Sequence, residues 1–261
     1  MKPTTHLTKN ILWTVLIIVL TTGVLSSCKK KEDPNPQDPQ GAVPMPSYPQ
    51  PTDADAVLVA VNSSVPSPVS LPSMPGMPAG GELVIDIGMG VALFKGNAKA
   101  DKVMLNNTEL TFTNGVYTWL PNFTNVMDPT ALTGINLSGN IIWNVTNPTI
   151  QKTLTNLPGK PRVTSGKVIT SSDGYVLVNS RVSGAEKILY AVHANNKTVM
   201  KELDGNSTQC TFTAAELATL GTTKQAIIQA NAYVITNETI GGKKVYFVRQ
   251  SSYSVTGVEI K

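Results

Sequence analysis

Beyond residue 53, apolar and polar side chains alternate with a period of two along much of the chain. Leu83-Ile85-Ile87 and Ile141-Trp143-Val145 each place three large apolar groups on one side, because successive strand residues point to opposite faces. Ala56 to Ser63, Val245 to Arg249 and Val255 to Ile260 read as further strands. Between such runs stand Asn114-Gly115, Asp173-Gly174, Asn195-Asn196 and Gly241-Gly242. Pairs of this kind favour two-residue hairpin loops, whose central residues take positive φ.

The loops also set register. With Asn114-Gly115 as the turn, Thr113 faces Val116, Phe112 faces Tyr117 and Leu110 faces Trp119, so an aromatic face opposes a threonine face. With Asn195-Asn196 as the turn, Val192 pairs with Val199, Ile188 with Leu203 and His193 with Thr198. One short helix is expected where Thr213 and Glu216 form a capping box ahead of Leu217 and Leu220, closed by Gly221. Many short strands with Gly, Asn and Pro turns imply an all-β fold of one or two Ig-like, antiparallel β-sandwich modules.

The first thirty residues break the pattern. Met1 to Asn10 carries Lys2 and Lys9 and no acid, and Ile11 to Leu25 is mostly apolar. That run is interrupted by Thr21, Thr22 and Gly23, and is short for a membrane span of about 20 residues. Small residues follow, as in a secretory signal. Leu25-Ser26-Ser27-Cys28 resembles a lipobox, which implies cleavage between Ser27 and Cys28 and acylation of the Cys28 sulfur. Stable attachment takes more than one acyl chain.

Twelve of the 18 prolines fall between Pro34 and Pro78. The stretch after Cys28 is too polar to offset its ordering entropy by burial. It reads as a disordered, extended spacer of about 3.1 Å per residue. The expected division is therefore residues 1–27 as signal, 28–53 as lipidated cysteine and tether, 54–157 as one module and 158–261 as a second. The second boundary rests on the break Pro158-Gly159-Lys160-Pro161.

Charge changes little. Removing Lys2 and Lys9 from 21 basic residues leaves 19 against 17 acids. Near balance, without a clustered basic face, argues against nucleic acid. Cys210 is the one cysteine besides Cys28 and sits on a face with Phe212, as a small buried hydrophobe. A reactive or dimerising thiol is the alternative.

Candidate chemistry is sparse. His193 is the only histidine besides His6. A solvent-facing strand position suits it, and no Gly-x-Ser-x-Gly turn accompanies it. Zinc sites built on two or three histidines are excluded by count. Glu82 and Asp86 fall on one strand face, as a carboxylate pair for glycoside hydrolysis or as solvated acids. Asp53 and Asp55 are candidate calcium ligands without the oxygen-rich loop that calcium needs. Met74 and Met77 could offer thioethers to copper(I), or belong to a plain loop. Trp119 and Trp143 are expected in the core, leaving Tyr175, Tyr190, Tyr233, Tyr246 and Tyr253 to line a binding face. No catalytic residue, metal site or cofactor is assigned.

The lipobox, the Pro/Asp tether, Val103-Met104-Leu105-Asn106, Tyr117 and Ile141-Ile142-Trp143-Asn144-Val145 together look like the cell-envelope lipoproteins of Bacteroidota. The resemblance implies attachment to the outer membrane through lipid on Cys28, at the cell surface or the periplasmic face, and carries no catalytic residues. The expected role is non-enzymatic binding of a polysaccharide or another surface protein. The rival is a fimbrillin-like pilus or adhesion subunit, with Val255 to Ile260 as a donated strand.

Overall fold

The structure, a computed structural model, describes residues 51–66, 84–119 and 133–261. Ser27, Cys28, Glu82, Met74, Met77 and nearly all of the expected tether lie outside these residues. The described body is all-β. Its strands in chain order are β1 (Ala56–Pro66), β2 (Val84–Phe94), β3 (Lys102–Leu105), β4 (Thr108–Glu109), β5 (Thr111–Thr113) and β6 (Val116–Trp119). Then come β7 (Ile141–Thr146), β8 (Ile150–Leu154), β9 (Val168–Ile169), β10 (Tyr175–Val178), β11 (Lys187–Ala194) and β12 (Lys197–Asp204). β13 (Gln209–Phe212), the helix α1 (Ala214–Ala218), β14 (Thr223–Ile240) and β15 (Lys243–Ile260) complete it.

One large sheet has the order β12-β11-β14-β15-β1-β2-β6-β5, with β9 also pairing with β15. A four-stranded sheet, β4-β3-β7-β8, and the pair β10-β13 are separate. Three hairpin expectations match the register. Phe112 pairs with Tyr117 and Thr113 with Val116, whereas the expected Leu110–Trp119 pair is not made, because the Leu110 N–H donates to Val103 O and Trp119 pairs with Gly90 of β2. Val192 pairs with Val199, Ile188 with Leu203 and His193 with Thr198. Ile240 and Lys243 flank Gly241-Gly242. The capping box of Thr213 and Glu216 is formed.

The Asp173-Gly174 hairpin is a correction. Ser171–Asp173 is a 3-10 turn, and the strands around it go to different partners, β9 to β15 and β10 to β13. Gly174 has φ 77° and a Cβ there would lie 2.8 Å from the Phe212 carbonyl oxygen, so this glycine serves close approach to β13. The two expected strands at 245–249 and 255–260 are also one, because Gln250 to Tyr253 between them is paired on both sides and Ser254 with β14. β2 runs past Gly88 and Gly90 for a steric reason. A Cβ on Gly88 would sit 1.8 Å from the Ile135 carbonyl oxygen, so segment 134–135 can cross the strand only at glycine.

Alternation along β15 puts Val245, Phe247, Arg249, Ser251, Tyr253 and Val255 on one face of the large sheet. Two apolar cores share that face. The first gathers Val245, Phe247, Leu58, Ala92 and Tyr117 under Val103, Leu105, Ile141, Trp143 and Ile150 of the four-stranded sheet. The second gathers Val255, Ala230, Ala232, Ile188, Tyr190 and Val192 under Leu177, Cys210, Phe212 and Leu217. Near Gly257, with φ 66°, β15 has one residue more than β14 between the pairs Ile228↔Val255 and Ala226↔Val258. This bulge returns Val258 and Ile260 to the core face.

Between the cores the same face is polar. Arg249 Nη1 donates to Thr155 O at 3.2 Å, Thr155 Oγ1 at 2.6 Å and Asn156 O at 2.9 Å. Ser251 Oγ donates to Pro158 O at 2.7 Å, and Gly159 N–H to Ser183 O at 2.8 Å. The expected boundary at 157/158 thus falls in a strap that crosses the sheet between two cores, while the sheet itself runs beneath both. One pairing was not anticipated: β1 and β15 run parallel, from Ala56↔Val245 to Ser64↔Tyr253.

Candidate functional site

The opposite face of the large sheet carries the least expected chemistry. Gln229, Asn231, Gln250, Ser252 and Ser254 are buried there at 1% exposure each, although a buried sheet face is ordinarily apolar. His193 joins them from β11, with Nε2 2.9 Å from Gln229 Oε1 and Nδ1 2.7 Å from Thr198 Oγ1. Gln229 Nε2 donates to Ser254 Oγ at 2.9 Å, which leaves Gln229 Oε1 as the acceptor. That orientation assigns the imidazole proton to Nε2 and makes Nδ1 the acceptor from Thr198. Asn231 Nδ2 donates to Leu189 O at 3.1 Å, while its Oδ1 is buried without a partner. The signal in the sequence is the polar alternation Gln229-x-Asn231 and Gln250-x-Ser252-x-Ser254 inside apolar strands.

His193 is therefore half-buried and held on both nitrogens, not solvent-facing as expected. Burial lowers its pKa, and the bond to Gln229 offsets this in part. Its hydrogen-bonded hydroxyl is Thr198, on an exposed edge position of β12, with no orienting acid on the other nitrogen. The geometry of a nucleophile, base and acid relay is not assembled at this histidine.

Cys210 is buried in the second core, and burial pushes its thiol up to about 11. It behaves as a small hydrophobe, since the thiolate is the reactive form. Asp86 accepts from Ser64 Oγ at 2.5 Å and is paired with Lys160. The Lys160 and Ser64 bonds outweigh desolvation and hold its pKa below the usual carboxylate value, the reverse of what a general acid needs.

Asp53 and Asp55 come together, but around cations of the chain itself. Asp53 is paired with the Lys244 ammonium and accepts from Tyr246 Oη at 2.8 Å. Asp55 Oδ2 accepts from the Lys244 backbone N–H at 2.8 Å, and Oδ1 lies 3.4 Å from Lys95 Nζ. The Lys244 side chain lowers the pKa of Asp53, and the Lys244 N–H that of Asp55. These carboxylates form a clasp at the start of β1. Among the described residues, no group of three or more His, Cys, Asp and Glu side chains could hold a metal ion.

Trp143 is fully buried and Trp119 packs against the first core, as expected. The tyrosines depart from expectation. Tyr190 and Tyr233 are buried, Tyr175 and Tyr253 pack against the second core, and Tyr246 is tied to Asp53. They do not form one exposed row. Among the described residues no helix is long and apolar enough to cross a membrane. No known protein family matches this chain, and no curated protein does.

Proposed function

We propose that this chain is an outer-membrane lipoprotein, cut between Ser27 and Cys28 and lipidated on Cys28. Its β body works outside the cytoplasm as a non-enzymatic binding module. The observation that carries this is Leu25-Ser26-Ser27-Cys28 standing directly after a basic start and the short apolar run Ile11 to Leu25. Support for a non-enzymatic role comes from the titratable groups of the body. His193, Cys210 and Asp86 are each engaged by structural partners or burial, and none stands beside another.

A polysaccharide or another surface protein is the partner that suits this setting. The tyrosines do not supply a stacking platform among the described residues, so sugar recognition by aromatic faces has no support there. The pilus alternative loses its named donor. Val255 to Ile260 pairs with β14, and with β9 at Glu259 and Ile260, so it is already a strand of its own sheet. Radiolabelled palmitate tests the anchor: label is expected in the wild-type membrane fraction and not in Cys28→Ala. Equal labelling of both proteins, or of neither, overturns the reading.

A further inference from the structure

We propose that β1 is a load-bearing strand, through which tension on the segment before Asp53 enters the body as shear. The inference rests on the proposed anchoring at Cys28 and gives the body a second role, as a mechanical link between membrane and partner. β1 is an interior strand. It makes nine residue pairs with β15 on one side and eleven with β2 on the other. Its side chains are buried on both faces, with Leu58 and Ala60 in the first core and Val57, Val59 and Val61 on the reverse.

Direction decides how such a strand fails. Ladder hydrogen bonds lie across the strand axis. In an antiparallel hairpin the two free ends are neighbours, so a pull on them opens one pair at a time. β1 and β15 are parallel, so the start of β1 and the end of β15 lie at opposite ends of the sheet. A pull between them slides one strand along the other and loads every pair together. Pulling β1 away from any point further along its own axis does the same against β2.

The entry point is reinforced. Before β1 begins, Asp55 N–H already donates to Lys244 O at 2.8 Å, and Lys95 N–H donates to Asp55 O at 2.9 Å. The carboxylates of Asp53 and Asp55 grip Lys244 from the same turn. A force arriving along the tether therefore meets β15 at Asp53, three residues before the strand proper, and peeling from the end of the ladder is opposed.

Single-molecule force spectroscopy on the full chain tests this, because forced rupture reports the unfolding barrier. Handles at Thr52 and Lys261 load β1 against β15 in shear. Handles at Thr222 and Lys261 pull neighbouring ends of the antiparallel β14-β15 pair, where Thr223 faces Ile260. The expected result is a rupture force several-fold higher for the first pair of handles. A first-pair force equal to or below the second overturns the proposal. Failure of palmitate to label Cys28 would remove the anchor yet leave these forces unchanged, so the two failures are distinguishable.

Discussion

Arg249 Nη1 and the carbonyl oxygen of Asn156 meet at 2.9 Å, and this contact fastens the strap between the cores to the middle of the shared sheet. The same nitrogen bonds both oxygens of Thr155. Burial lowers the pKa of the guanidinium, but it remains charged at any physiological pH. Arg249→Met should cost about 1–3 kcal/mol, the range for leaving such acceptors unmade. Urea denaturation measures the loss. Limited proteolysis should find new cleavage between residues 155 and 161, and an unchanged digest would show that the strap is held by other contacts.

His193 makes stability depend on pH. Its folded pKa lies below the unfolded value because burial disfavours the imidazolium. Its contribution is whole above the unfolded pKa of about 6.5 and is lost as pH falls through the lower folded value, since the unfolded chain takes up the proton first. Thermal unfolding midpoints should fall between pH 7 and the onset of carboxylate protonation near about 4. His193→Gln should flatten that slope. A slope that survives the substitution would place the titration elsewhere.

The helix α1 depends on its first residue. Thr213 Oγ1 accepts from the Glu216 N–H at 3.3 Å, and the Glu216 carboxylate accepts from the Thr213 N–H at 2.7 Å. Thr213→Ala should destabilise by about 1 kcal/mol and Thr213→Ser by much less. Bonds from Lys201 and Thr213 hold the Glu216 pKa at about 2. The carboxylate contribution is thus present above its unfolded value and disappears as pH falls through about 2. Chemical denaturation of both variants separates the cap from bulk packing of Leu217.

Gly88 and Gly166 offer a matched pair. Alanine at 88 drives a methyl group into the Ile135 carbonyl oxygen at 1.8 Å, whereas at 166 nothing lies within 4 Å. Gly88→Ala should cost about 1–3 kcal/mol or more, the range for overpacking. Gly166→Ala should stay within about 0.5 kcal/mol of the parent. Similar melting temperatures for the two would show that segment 134–135 does not rest on β2 as described.

Local features were legible in the sequence, and long-range ones were not. The Asn114-Gly115 and Asn195-Asn196 hairpins follow from two residues and a period of two, and so does the inward side of Trp143. The capping box is a four-residue pattern. By contrast, nothing near Ala56 announces Val245 as its neighbour, and parallel pairing leaves no turn to read. The need for glycine at Gly88 is invisible until the crossing of Ile135 is known. His193 seemed exposed because Thr198 opposite it is polar. The amide that holds it, Gln229, which is fixed in turn by the Ser254 hydroxyl, comes from a strand that local pattern cannot place beside β11. Leu25-Ser26-Ser27-Cys28, the stretch that resembles a lipobox, lies outside the described residues.

The parallel pair also has a bearing on how the body comes to fold. Asp55 meets Lys244 across 189 positions, so β1 emerges from synthesis long before the neighbour that completes its sheet. Val245 and Phe247, which close the first core, are translated only after every strand from β2 to β14. A partly made or truncated copy keeps Leu58 and Phe94 without that cover. Ordering must wait for such distant segments to meet, which slows folding. For a chain exported as proposed above, remaining open until it is nearly finished suits passage through a membrane as a thread.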